Sequence, residues 1–283
     1  VTFAFVTTFV RLAYDDGASP GALILLRFSG FVAIIGGALL LRRRNLRLPS
    51  RALASTGWIA LLTLVMSVAY LSSVAFIPVG LAAIILYTFP LMVGVLSSLA
   101  GREPMTAVKA IALVAAFAGL ALAIGPTFSG LDLRGIGLAL TAAAATAAVF
   151  TYAGPVMERY DPLVLNVYIN LWMLAATALY LLLAGGVDWP ATGTGYLAAA
   201  GATLCYITGF AALLAGLRFV APVQSALMMN AEPPLSILAA ALLLGERLTA
   251  LQLVGVAIVL AALVGNTLGA GRPGRRTRDA APD

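Results

Sequence analysis

The sequence predicts an all-α integral membrane fold: ten transmembrane helices, arranged as two inverted five-helix repeats around a central cavity. Three observations predict it. The chain is 62% hydrophobic and 10% charged, with a mean hydropathy of +1.03, whereas soluble domains carry about 25% charged residues. The apolar residues fall into runs of roughly the 20 residues needed to cross a bilayer as a helix. The chain also matches itself without gaps at an offset of 143 positions, carrying Pro78 to Thr106 onto Ala221 to Thr249. In that alignment Phe76 meets Phe219, Ala83 meets Ala226, Pro90 meets Pro233, Leu99 meets Leu242, Glu103 meets Glu246 and Thr106 meets Thr249. Self-similarity at an offset of about half the chain outranks any local motif.

The runs lie at about 1–14, 20–41, 53–76, 79–100, 106–125, 135–157, 162–184, 194–216, 221–244 and 249–270. The first is too short to span, and the chain opens on Val1, as expected of a start inside a helix. Turn formers separate the runs: Asp15-Asp16-Gly17, Pro49-Ser50, Gly125-Pro126, Gly185-Gly186 and Trp189-Pro190. No connection is long enough for a soluble domain. The organisation expected is a first repeat over 1–130, a second over 131–270 and a basic cytoplasmic tail over 271–283, the repeats together forming one membrane domain. The tail is expected to lack fixed structure.

Lysine and arginine orient the chain. Thirteen fall on one side of the membrane, led by Arg42, Arg43, Arg44, Arg47 and Arg51, and three (Arg11, Arg134 and Arg247) on the other. The bias places both termini in the cytoplasm of a multi-pass protein of a bacterial-type inner membrane. Five helices per half is an odd number, so the second repeat enters the membrane from the opposite side. Inverted repeats of this kind are a secondary-transporter architecture, with the site near the midplane. The high pI of 9.8 is thus explained by topology, and no nucleic-acid partner is expected.

The stretch EPPLSILAAALLLGERLTALQLVG, and more loosely FPLMVGVLSSLAGREPMTAVKAIALVAAFAG, resembles the EamA-type half-repeat of the drug/metabolite transporter superfamily. The resemblance implies export of small metabolites, with amino acids prominent among family substrates. It extends to the aromatic and neutral amino-acid exporter branch.

Ionisable residues in mid-helix carry the chemistry. Glu232 lies near the middle of the ninth run, where a carboxylate costs about 2.5–3.5 kcal/mol on insertion scales. It must face a cavity, meet a cation or be protonated. Arg27, the basic residue deep in the second run, is the partner expected for it; a buried structural ion pair is the competing reading. Pro90, Pro233 and Pro234 break the fourth and ninth runs at equivalent depth and are the expected hinges. Each removes an N–H from the carbonyl four residues back, at Leu86, Met229 and Asn230, and such carbonyls must face protein or a wet cavity. A packing kink is the plainer alternative.

Tyr70, Tyr87 and Asn230 are expected to touch substrate as a set, Tyr87 and Asn230 being equivalents three residues before the prolines. Asn170 and Tyr206 are further candidates, with Asn166 and Trp172 at similar depth. Interfacial belts or helix–helix hydrogen bonds would account for any one of them alone. Glu103 and Glu246 read as capping or surface groups, and Cys205 as a packing residue.

One deep cation against one deep carboxylate disfavours phosphates and favours a zwitterion with an apolar side chain. The function expected is export of neutral or aromatic amino acids by alternating access; efflux of lipophilic or cationic drugs is the alternative. With no histidine and one cysteine, no metal site, cofactor or disulfide framework is expected. No enzyme is expected either, since the convergent nucleophile, base or metal ligands that catalysis needs are missing. A passive channel or scaffold is the third class, since the sequence shows no obligatory coupling site. The partners expected are a small-molecule substrate and the lipid bilayer, with oligomeric state unspecified.

Overall fold

Hydrophobic runs bounded by capping residues become helices, and the described chain is helical throughout. The computed structural model describes residues 2–101, 105–125, 132–184, 186–244 and 248–270. The elements are α1 (Thr2–Asp15), α2 (Pro20–Phe31), a π-helical stretch (Val32–Gly36), α3 (Gly37–Leu41), α4 (Ser50–Ser73), α5 (Val79–Leu86) and α6 (Phe89–Leu99). Then come α7 (Ala107–Ile124), α8 (Leu133–Arg159), α9 (Pro162–Ala184), α10 (Gly193–Gly216), α11 (Pro222–Met229), α12 (Glu232–Leu244) and α13 (Ala250–Ala270). No strand occurs among the described residues. Glu103, Glu246, their neighbours Arg102 and Arg247, and the tail 271–283 lie outside the described residues.

Local chemistry sets the ends. Ser19 caps α2, its hydroxyl accepting from the Ala22 N–H, with Pro20 in the first turn. Thr106 and Asp132 cap α7 and α8 in the same way. Gly125 ends α7 at φ 67°, a left-handed conformation that glycine adopts without a Cβ penalty.

Among the described residues seven helical segments are long and apolar enough to cross a membrane, from Pro20–Leu41 to Gly193–Gly216. The ten runs expected from sequence are therefore not all in that count. α1 has 14 residues, the ninth run is divided between α11 and α12, and the described apolar part of α13, Ala250–Asn266, is shorter than the others.

Shifting α4 by 143 residues gives 193–216, the bounds of α10, and shifting α5 gives 222–229, the bounds of α11. α6 and α12 start 143 apart, as do α7 and α13. The packing obeys the same shift: α4 lies on α8 as α10 lies on α1, and α4 on α9 as α10 on α2.

Polarity runs inside-out relative to a soluble protein. Leu71, Ile111, Leu182 and Leu197 stand on the outside, whereas Thr56, Ser97, Asn166, Asn170 and Asn230 are buried. Small residues let helices approach closely. α8 buries Ala139, Ala142, Ala143 and Ala147 against its neighbours, and a Cβ on Gly119 of α7 would come within 2.9 Å of the Gly255 carbonyl of α13.

Candidate functional site

The two broken helices place their discontinuities at one point. α5 gives way to α6 at Tyr87 and Thr88, and α11 to α12 at Asn230 and Ala231. Pro90 and Pro233 sit in the first turn of the second segments and have no N–H for the carbonyls of Leu86 and Met229. Leu86 and Met229 both line a central cavity of about 320 Å³. That volume is at the small end of the roughly 300–1,000 Å³ usual for small-molecule sites.

Of the candidate residues, Arg27, Tyr87, Tyr206 and Glu232 line this cavity together. Asn170 stands behind it: the Tyr206 hydroxyl donates to Asn170 Oδ1 at 3.2 Å, and Asn170 Nδ2 donates to the Asn166 carbonyl at 2.9 Å. The direct Glu232–Arg27 pair expected from sequence is not formed. The Arg27 guanidinium lies instead over the Tyr206 ring, 4.8 Å from its centroid, and no ion pair joins Arg27 to Glu232 among the described residues. Charge attraction to an aromatic face is worth about 2 kcal/mol when desolvated, so the ring holds the cation while its edge stays open to the cavity.

Tyr70 and Asn230 are not among the cavity residues. Tyr70 packs against Ile77, Leu81, Ala82 and Ala139. Asn230 is 1% exposed, and its Oδ1 has no hydrogen-bond partner among the described residues. Trp172 stands on the outside of α9, its indole N–H donating to Thr56 Oγ1 at 3.3 Å.

Sequence reasoning missed most of the aromatic wall. Phe28, Phe89, Phe150 and Phe210 line the cavity, with Tyr206 and Phe210 stacked at 5.2 Å and Phe89 and Phe150 tilted to each other at 5.3 Å. It also missed Thr63 and Ser67, one turn apart on α4. Both hydroxyls donate within their own helix, to Ile59 and Thr63 carbonyls at 2.8 and 2.9 Å, and so present acceptor lone pairs to the cavity. The polar i, i+4 spacing on α4 was the available signal.

The arrangement is an apolar, aromatic chamber with a guanidinium and a carboxylate as its charged groups and a few hydroxyls between. It can orient a ligand bearing opposite charges on one end and an apolar body on the other. Among the described residues no cluster of histidine, cysteine or acidic side chains is able to hold a metal ion.

Comparison with known proteins gives a consistent placement. The EamA-like transporter family matches residues 1–125 and again 133–268. The uncharacterized transporter YvbV of Bacillus subtilis (strain 168) is 26% identical over 254 residues, covering 84% of this chain and 81% of YvbV. A solved crystal structure of a protein superposes with a TM-score of 0.78 at 20% identity, over 96% of both chains. At that identity the superposition speaks for the fold alone.

Proposed function

The chain belongs to the EamA-like transporter family, and we propose that it exports neutral or aromatic amino acids, or similar zwitterionic metabolites, by alternating access. A general role in membrane transport follows from the family. The finer reading rests on one observation: Arg27 and Glu232 line the same aromatic cavity without neutralising each other. A deep charge is expensive in a bilayer, so two charges left facing a common space are placed for a ligand that brings the opposite pair. In this reading Arg27, held over Tyr206 and backed by Asn170, takes the carboxylate. Glu232 faces the ammonium, and Phe28, Phe150 and Phe210 take the side chain.

The proposed frame is ten spans in two oppositely oriented halves, 1–130 and 131–270, with both termini cytoplasmic in a bacterial inner membrane. Its support is the 143-residue shift that relates the helix bounds and the lysine and arginine bias. Pro90, Pro233 and Pro234 are its hinges, and Tyr87 and Asn230 the matched residues at the breaks.

The rival cargo, a lipophilic cation with Glu232 as counter-ion, is served by the same carboxylate but leaves Arg27 without a role. Solute counterflow in proteoliposomes tests the reading. Preloaded phenylalanine or leucine should accelerate uptake of the labelled solute. Acceleration by tetraphenylphosphonium alone would favour the drug reading, and uptake without trans-acceleration would indicate a channel.

A further inference from the structure

Glu232 and Tyr87 have a second face. They also border another cavity of about 360 Å³, whose polar lining is completed by Thr7, Ser236 and Gln252, with Ile124 and Leu248 beside them. Two chambers therefore share one carboxylate and one phenol as their common wall.

The equivalent place in the first half is built from different side chains. At the offset of 143, Glu232 becomes Phe89, Ser236 becomes Val93, Thr7 becomes Phe150 and Tyr87 becomes Asn230. These four are all buried, at 4%, 0%, 5% and 1% exposure. The Phe89 and Phe150 rings pack at 5.3 Å, and Met105, the counterpart of Leu248, lies against Gly94. Three oxygen-bearing positions of the second-half break, Thr7, Glu232 and Ser236, are thus apolar at the first, where the counterparts of Tyr87 and Gln252 are the polar Asn230 and Lys109. A packed kink does not call for a carboxylate and two hydroxyls at these three positions; they cost desolvation and have a use only if something polar enters.

We propose that this second cavity is the access path of a monovalent cation, a proton or a sodium ion, that binds at Glu232 and is coupled to substrate movement. The proposal rests on the transport reading and adds to it a separate entrance for the driving ion. The cation reaches the carboxylate from behind while the substrate occupies the central chamber in front, so the two ligands share one charged group without sharing a route. Among the described residues, the titratable and charged groups that face Glu232 are Tyr87 from the first-half break, with Arg27 of α2 and Tyr206 of α10 across the central chamber. α1, α7, α12 and α13 present Thr7, Ile124, Ser236 and Gln252, which do not titrate. A bound cation neutralises the carboxylate where a bare charge is expensive.

The test plugs the second cavity after folding. Ile237 lines it and carries no polar function. In a Cys205→Ala background, which removes the natural thiol, Ile237→Cys is reconstituted into liposomes and assayed before and after a bulky, membrane-impermeant methanethiosulfonate. Labelled phenylalanine is the probe. Before modification, a pH gradient or a sodium gradient should raise accumulation at least tenfold, and the arm that succeeds identifies the cation. After modification, gradient-driven accumulation should vanish while phenylalanine counterflow stays within twofold. A thiol that does not react, a gradient without effect on the unmodified protein, or a modification that removes both activities or neither would overturn the proposal. Gradient-independent counterflow persisting in those cases would leave the transport reading standing. Absence of counterflow in the unmodified protein would contradict that reading, and the coupling with it.

Discussion

The Arg27 guanidinium lies 4.8 Å from the centre of the Tyr206 ring, whose hydroxyl donates to Asn170 at 3.2 Å. The ring and its hydroxyl therefore have separable jobs. Tyr206→Phe keeps the face that holds Arg27 and removes one hydrogen bond, a loss of about 1 kcal/mol, visible as a small drop in Tm with exchange within a few-fold of wild type. Tyr206→Leu removes the face as well, releases the cation, and should raise the KM for exchange more than tenfold. Equal transport defects in the two variants would show that the ring does not hold Arg27 for substrate.

Arg27 and Glu232 make no ion pair with each other among the described residues, and this decides how their variants combine. If they formed a buried pair, removing one partner would cost about 3–5 kcal/mol, and removing both would restore stability. Here Arg27→Gln and Glu232→Gln should each lose transport, and the double variant should remain inactive with no gain in Tm over the singles. Recovery of both stability and transport in the double variant would make the charges structural.

Pro90 and Pro233 occupy first-turn positions, where proline is tolerated. Replacing Pro90 by Ala, or Pro233 and Pro234 together, should leave Tm unchanged or slightly raised. Each change supplies the missing N–H donors and allows the two helix segments to fuse. Counterflow should slow several-fold if the breaks bend during the cycle. Unchanged rates would reduce the prolines to packing devices.

Outside the bundle, the turn after α1 is clasped to the segment preceding α10. The Thr192 N–H and hydroxyl both donate to the Asp16 carboxylate at 2.8 Å, and the Asp16 carbonyl accepts from Ala191. These donors, the Thr192 N–H first, hold the Asp16 pKa below its ordinary value of 3.8. A carboxylate with a depressed folded pKa contributes stability that is complete above its unfolded pKa and lost as pH falls through the folded one. The clasp should therefore be intact at neutral pH and fade only below about pH 4. Thermal melts from pH 7 downward should show an acid limb that Asp16→Asn flattens. An identical limb in that variant would remove Asp16 from the account.

Much of the frame was legible because hydrophobic run length and a 143-residue offset are one-dimensional signals. The prolines likewise located both helix breaks to within a turn. Side-chain direction was less legible, since it depends on which neighbours a helix meets. Tyr70 continues the stripe of Thr63, Met66 and Ser67 along α4, yet it lies one turn beyond them and packs into a different cluster. Asn230 adjoins Met229, but at about 100° per residue the next side chain turns away from the chamber. Arg27 was visible as a deep cation, whereas its seat on Tyr206 arises from the packing of α2 on α10, which no local pattern records.

The central claim is that the chamber recognises a zwitterion through Arg27 and Glu232, and a counterflow competition measures it most directly. Purified protein in liposomes is offered labelled phenylalanine against phenylalaninamide, which lacks the carboxylate, and N-acetylphenylalanine, which lacks the ammonium. The account predicts that unlabelled phenylalanine competes at least tenfold better than either analogue. It also predicts that Arg27→Gln abolishes discrimination against the amide. Equal competition by phenylalaninamide in the wild-type protein, with discrimination unchanged in Arg27→Gln, would contradict it.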